Sequence, residues 1–213
     1  MIRRLFFVVL SIVCFALGSF AQKRTVMPVV YRQYRPAVIT FTDGHKSKNM
    51  YTNVFLKNGS LLFLKGEVPM EANMDNILAV DFEDRKFVSI NKQLGYLIDS
   101  VGSNALYCIE LFDKDTYERN LKNNVNISSM DLGDQISMSY IDLNNEEDYK
   151  LPVFRHFYFL YKGEFVKVHE RELSKKLKKE GKTMMERIVA LPDFSWQTEK
   201  SLMQLLKAIS EGL

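Results

Sequence analysis

The stretch Asn53-Val-Phe-Leu-Lys-Asn-Gly-Ser-Leu-Leu-Phe-Leu-Lys65 places two apolar runs on either side of Asn58-Gly59. Asn-Gly between apolar runs is the strongest short-range hairpin signal, because both residues tolerate the positive φ of a type I′ turn. The same residues, Asn58-Gly59-Ser60, also match the Asn-x-Ser glycan acceptor pattern. The hairpin reading accounts for Asn58 and Gly59 without any modification.

Outward from this hairpin the chain continues as β. Ala37–Thr42, Met50–Lys57, Ser60–Lys65, Ile77–Phe82, Lys86–Ile90, Leu94–Ile98 and Ala105–Phe112 are strand candidates, rich in β-branched and aromatic residues. Asp43-Gly44, Gly66, Glu83-Asp84 and Gly102-Ser-Asn104 punctuate them. Short strands at this spacing predict an antiparallel meander or small barrel, and no long helical pattern interrupts them. Asp115–Asn123 reads as a short helix capped by Asp115. Gln135–Leu143, Phe154–Tyr161 and Glu164–Val168 add strands, the last two joined by Lys162-Gly163.

From His169 the apolar period becomes helical. Leu173 and Leu177 form one stripe, and Met184, Met185, Ile188 and Val189 a second. Leu202, Leu205, Leu206 and Ile209 form a third, with Thr198 as N-cap. Phe194 and Trp196 are expected to dock the connector Pro192–Trp196. The fold class is therefore α+β: a β-rich domain over 22–168, then a C-terminal helical segment over 169–213 packed on the sheet.

Residues 1–21 have the layout of a secretory signal peptide. Arg3 and Arg4 form a positive head, Leu5–Leu17 an apolar run too short to span a membrane, and Ser19 and Ala21 a small-residue cleavage site. The mature chain is expected to begin at Gln22, in an exported compartment. Loss of Arg3 and Arg4 lowers the formal charge from +3 to +1, which removes any general electrostatic reason to bind nucleic acid. Cys14 leaves with the leader, so Cys108 has no partner for an internal disulfide and is read as a buried thiol. Hydrophobic residues are 46% of the sequence and phenylalanines number 15, enough for an apolar core.

Catalytic and metal signatures are absent from the sequence. His45, His156 and His169 stand at no metal-ligand spacing, and neither a phosphate loop nor a dinucleotide fingerprint occurs. No cofactor and no metal are expected. Asp43 and His45 make a weak catalytic pair without a serine elbow. Glu67 and Glu71 are carboxylates that a strand would place on one side.

Charge is segregated along the chain. Asp131–Asp148 holds six acids and no base, whereas Lys162–Lys182 holds eight bases against four acids. Lys175, Lys176, Lys178 and Lys179 are the candidate interaction surface. They form either a solvated helix face, a contact with an anionic envelope surface, or a partner for the acidic stretch.

Pro36-Ala-Val-Ile39, Asn53–Phe63, Met70-Glu-Ala-Asn-Met-Asp-Asn-Ile77 and Pro192-Asp-Phe-Ser-Trp196 together resemble exported proteins of unknown function from Bacteroidota. The resemblance covers most of the mature chain and implies a periplasmic, outer-membrane-associated or extracellular location. It also implies that neither Asn58 nor Asn126 receives an Asn-linked glycan. It implies instead an O-glycosylation signal of Asp, then Ser or Thr, then a small apolar residue, which Asp99-Ser100-Val101 fits. Ser100 is the candidate modification site. The expected role is non-enzymatic, an interaction or structural module working through an envelope partner or self-association. The alternative is a glycan-binding or glycan-processing accessory.

Overall fold

The computed structural model describes residues 27–124 and 151–211. The expected leader, the strand at Gln135–Leu143, the acidic stretch Asp131–Asp148 and Asn126 lie outside them. Ten strands form one sheet: β1 (Arg35–Phe41), β2 (Lys46–Phe55), β3 (Ser60–Lys65), β4 (Val68–Glu71), β5 (Ile77–Phe82), β6 (Arg85–Ile90), β7 (Gln93–Val101), β8 (Asn104–Phe112), β9 (Val153–Tyr161) and β10 (Glu164–Lys167). Among the described residues four helices accompany them: α1 (Lys114–Asn124), α2 (Glu170–Lys176), α3 (Lys179–Val189) and α4 (Glu199–Glu211). A 3-10 turn, Met74–Asn76, precedes β5. Among the described residues no helix is long and apolar enough to cross a membrane.

The sheet order is β10-β9-β8-β7-β6-β5-β1-β2-β3-β4, antiparallel throughout. It is two meanders, β1–β4 and β5–β10, joined where β5 returns to pair with β1. The fold is α+β, and the sheet curls into a half-barrel. One apolar core fills its curl with Ile39, Val54, Leu61, Val80, Phe82 and Phe87. A second lies between β8–β10 and the C-terminal helices, where Leu106, Phe157 and Phe159 meet Leu173, Met185, Leu202 and Leu206. Cys108 is wholly buried in that core, and burial pushes its thiol above its ordinary pKa.

The helical stripes fall as the periodicity predicts. Leu202, Leu205, Leu206 and Ile209 are each at most 1% exposed. Phe194 and Trp196 meet edge-to-face at 5.0 Å and pack on the same core. Thr198 immediately precedes α4, and its carbonyl accepts the Leu202 N–H at 3.1 Å.

Three local readings are corrected. The link between β2 and β3 is not a two-residue type I′ turn. It spans Leu56–Gly59, with only Gly59 at positive φ (74°), and Gly59 N–H donates to the Phe55 carbonyl at 2.8 Å. The reason is tertiary. Leu56 is 4% exposed, and its backbone bridges the Pro28 carbonyl (2.9 Å) and the Phe112 N–H (2.8 Å), which a tight turn would not reach. The doubly positive turn falls instead at Asn91-Lys92, φ 51° and 66°, between β6 and β7. The cap of α1 is Asp113 rather than Asp115, because the Asp113 carboxylate accepts the Thr116 N–H at 2.9 Å. Finally, β4 is an added strand. Its Pro69 and exposed residues give little strand signal, yet proline is tolerated on an edge.

Candidate functional site

The four lysines singled out by sequence do not form one helix face. Lys175 and Lys176 end α2, Leu177 is buried at 5% exposure as its C-cap, Lys178 is the N-cap residue of α3 and Lys179 opens it. Lys175 pairs with Glu172 at 2.7 Å, and Lys176 with Glu164 of β10 at 2.6 Å. These lysines hold both carboxyls below the usual range. Half of the candidate surface is thus engaged in tying α2 to itself and to the sheet edge.

The remaining sequence candidates are scattered. Ser100 is exposed on β7, and its N–H donates to the Asp99 carboxylate at 2.8 Å. The Asp43 carboxylate accepts the backbone N–H of His45 at 2.9 Å, as in a turn, while the imidazole stacks on Phe41 at 5.5 Å. Glu67 lies in the β3–β4 turn, so it does not share a strand with Glu71. Glu71 accepts the side-chain amide of Asn58 at 2.5 Å. His169 caps α2, its Nδ1 accepting the Arg171 N–H at 3.3 Å. His156 is half-buried on β9. Burial, and then the charge of Lys167, lowers its pKa.

Two features were not visible in the sequence. The first is a polar clamp assembled from four elements. Tyr96 of β7 donates to Glu110 of β8 at 2.9 Å, and Arg155 of β9 donates to the Tyr96 hydroxyl at 3.2 Å and also to Glu199 of α4. Arg85 of β6 sits over the Tyr96 ring at 4.5 Å. Burial, then the neighbouring Cys108 and Glu110, pushes the Tyr96 hydroxyl far above its ordinary value. Burial alone would lower Arg155, but its hydrogen bonds to Glu199 and Tyr96 outweigh that and favour the charged form. Arg155 thus links Glu199 of α4 to Tyr96 and Glu110 of the sheet, and the arrangement clamps α4 to the half-barrel.

The second feature is a cleft opened by a β-bulge. Arg35 pairs with Thr52 but Ala37 with Asn49, so two steps along β1 match three along β2. The bulge lies at Met50-Tyr51, where the Asn49 side chain accepts the Tyr51 N–H at 2.9 Å. Bulges bend the strand that carries them. Pairing of β2 with β3 stops at Thr52, and the first half of β2 parts from β3. Between them lies a cavity of about 390 Å³ with an apolar floor of Ile39, Leu61, Phe63 and Ile77. Its rim carries Ser47, Lys48 and Asn49 on one side and Glu71 and Asn73 on the other. A neighbouring hollow at Asp43 and His45 shares Phe41, Ser47 and Asn76 with it.

No family model, curated protein or solved structure matches this chain. The site is therefore read from its own geometry. Among the described residues no three His, Cys, Asp or Glu side chains are grouped so as to hold a metal ion. The cleft has an apolar floor, a polar rim and an exposed strand margin. Such a surface suits recognition of another molecule. The signal that pointed nearest to it was the break in alternation at Asn49-Met50-Tyr51.

Proposed function

We propose that the protein is an exported, non-enzymatic interaction module of a bacterial cell envelope, and that its partner contacts the margin formed by β2, β3 and β4. One observation carries this reading. Met50 and Tyr51 on β2 are 53% and 60% exposed, and Val68 and Met70 on β4, the other side of β3, are 60% and 41% exposed. Single exposed apolar residues are ordinary, whereas several together rimmed by polar groups mark an interaction site. The aromatic content that suggests glycan binding is largely core, since Phe82, Phe87, Phe157 and Phe159 are buried.

The experiment is crosslinking in the native host with a photoreactive residue at position 68, followed by pull-down of the tagged chain. A partner captured from position 68 but not from Lys86, and lost in Met50→Glu/Met70→Glu with unchanged thermal unfolding, supports the reading. No capture, or capture indifferent to these changes, refutes it. The same preparation tests export and the Ser100 glycan. Intact mass should correspond to a chain starting at Gln22 plus a glycan that Ser100→Ala removes, and a bare mass would dismiss the modification.

A further inference from the structure

We propose that this margin recognises its partner by strand addition: an extended, acidic segment of the partner polypeptide pairs with the free edge of β2 at Lys46–Asn49 and lays alternate side chains into the cleft. The inference rests on the interaction reading above and specifies how that surface binds.

The backbone carries the argument. Among the described residues the sheet ends at β10 and β4, and pairing stops short along β2, β7 and β9. The β10 margin is covered, because Val166 packs with Leu173 and Leu177, and Lys176 pairs with Glu164. The β4 margin is blunted by Pro69, which has no N–H to donate. Of the stretches where pairing stops short, β2 from Lys46 to Asn49 borders the apolar cleft, and it pairs with β1 on one side and with no strand on the other. The Phe41 N–H donates to the His45 carbonyl at 2.8 Å. Antiparallel pairing alternates, so Ser47 and Asn49 turn their backbone groups toward β1, whereas Lys46 and Lys48 turn theirs away. Two N–H and two C=O groups therefore face outward beside an apolar floor. An extended backbone complements such a row, and side chains alternating along it supply specificity.

Charge selects the sequence class. Neither Lys46 nor Lys48 has an acidic partner among the described residues, whereas Glu71 across the cleft is engaged by Asn58. An occupant with acidic residues alternating with apolar ones satisfies both the lysines and the floor.

The test is selection of a random dodecapeptide display library against the mature protein, with Lys48→Pro and Lys48→Ala as comparison targets. Proline removes the outward N–H of residue 48 while leaving the bonds to β1, and Lys48→Ala removes only the charge. The expected result is enrichment of acidic–apolar alternating peptides. Their affinity should fall roughly tenfold or more on Lys48→Pro and by less on Lys48→Ala. Amide exchange at Lys46 and Lys48 should slow when they bind. Far-UV circular dichroism of Lys48→Pro must match the parent; if it does not, the exchange measurement on the parent protein decides. No enrichment, or enriched peptides that leave both amides unprotected, overturns the proposal. Protection that grows with protein concentration alone assigns the edge to a second copy and also overturns it. If strand addition fails while position-68 crosslinks persist, the interaction reading survives. If both fail, neither stands.

Discussion

The N–H of Leu94 donates to the carbonyl oxygen of Gly59 at 2.7 Å, joining the β2–β3 loop to the start of β7. The amide of Gln93 adds a bond to the Asn58 carbonyl at 3.0 Å. These contacts span the curl of the half-barrel, so the loop acts as a brace across a sheet that would otherwise open. Gly59 is required there twice over, by its φ of 74° and because a Cβ would stand 3.0 Å from the Cβ of Gln93.

Gly59→Ala is accordingly expected to destabilise the protein by about 1–3 kcal/mol, the range for a strained backbone that its surroundings impose. Gly44→Ala is the control. Its φ is 85° but a Cβ meets nothing within 4 Å, so its cost should be about 1 kcal/mol. Urea unfolding of both variants measures the difference, and equal losses would deny the brace.

Gly95 is a packing glycine beside the buried Ile90 and Ile109. A Cβ there would lie 2.9 Å from Cδ1 of Ile90 and 3.0 Å from Cγ1 of Ile109. Gly95→Ala should cost about 1–3 kcal/mol through overpacking. Ile90→Val removes the nearest atom, so the double variant should be more stable than the sum of its single losses. A double-mutant cycle in urea reads this coupling.

Arg155 joins Tyr96 and Glu199, so its loss should loosen α4 from the sheet. Arg155→Ala is expected to cost about 1–3 kcal/mol, since Tyr96 and Glu110 lose their charged neighbour. The Arg155–Glu199 coupling itself should be smaller, about 0.5–1 kcal/mol, because these side chains are 35% and 43% exposed. Arg155→Lys should recover little, as an ammonium lacks the fork that reaches two partners. Amide exchange along α4 distinguishes local release from a general loss of stability.

The pH dependence has two limbs. Burial, with Asp84 next, pushes the Tyr31 hydroxyl up to about 12. A raised acid favours the folded state while it is protonated. Its contribution is complete below the ordinary value near 10 and disappears as pH rises from about 10 to 12. His156 acts at the other end. Its folded value is lowered, so its contribution is present above about 6.5 and falls away as pH drops below that. Thermal unfolding across pH should show both losses. Tyr31→Phe should reduce the alkaline loss, which Tyr96 and Cys108 share, and His156→Phe should reduce the acid loss, which Glu164 and Glu172 extend at lower pH.

Much of the fold is legible without coordinates because alternation, turn residues and helical period are local properties of the chain. The boundaries of Ser60–Lys65 and Ile77–Phe82 match observed strands residue for residue, and the stripe Leu202–Ile209 is the buried face of α4. Sequence therefore determined the α+β class, the type of most described elements and the buried stripe of α4, while β4 went unread. The length of the Leu56–Gly59 loop was not local, since it depends on Leu56 reaching Phe112 and Gly59 reaching Leu94. Nor was the clamp of Tyr96, Glu110, Arg155 and Glu199, whose members lie on four elements and meet only once register and curl are fixed. The cleft was decided in the same way. The Met50-Tyr51 bulge exists only relative to the residues that β1 presents, so pairing between strands, and not any property of the single strand, parts β2 from β3 and leaves Lys46 and Lys48 with a free edge.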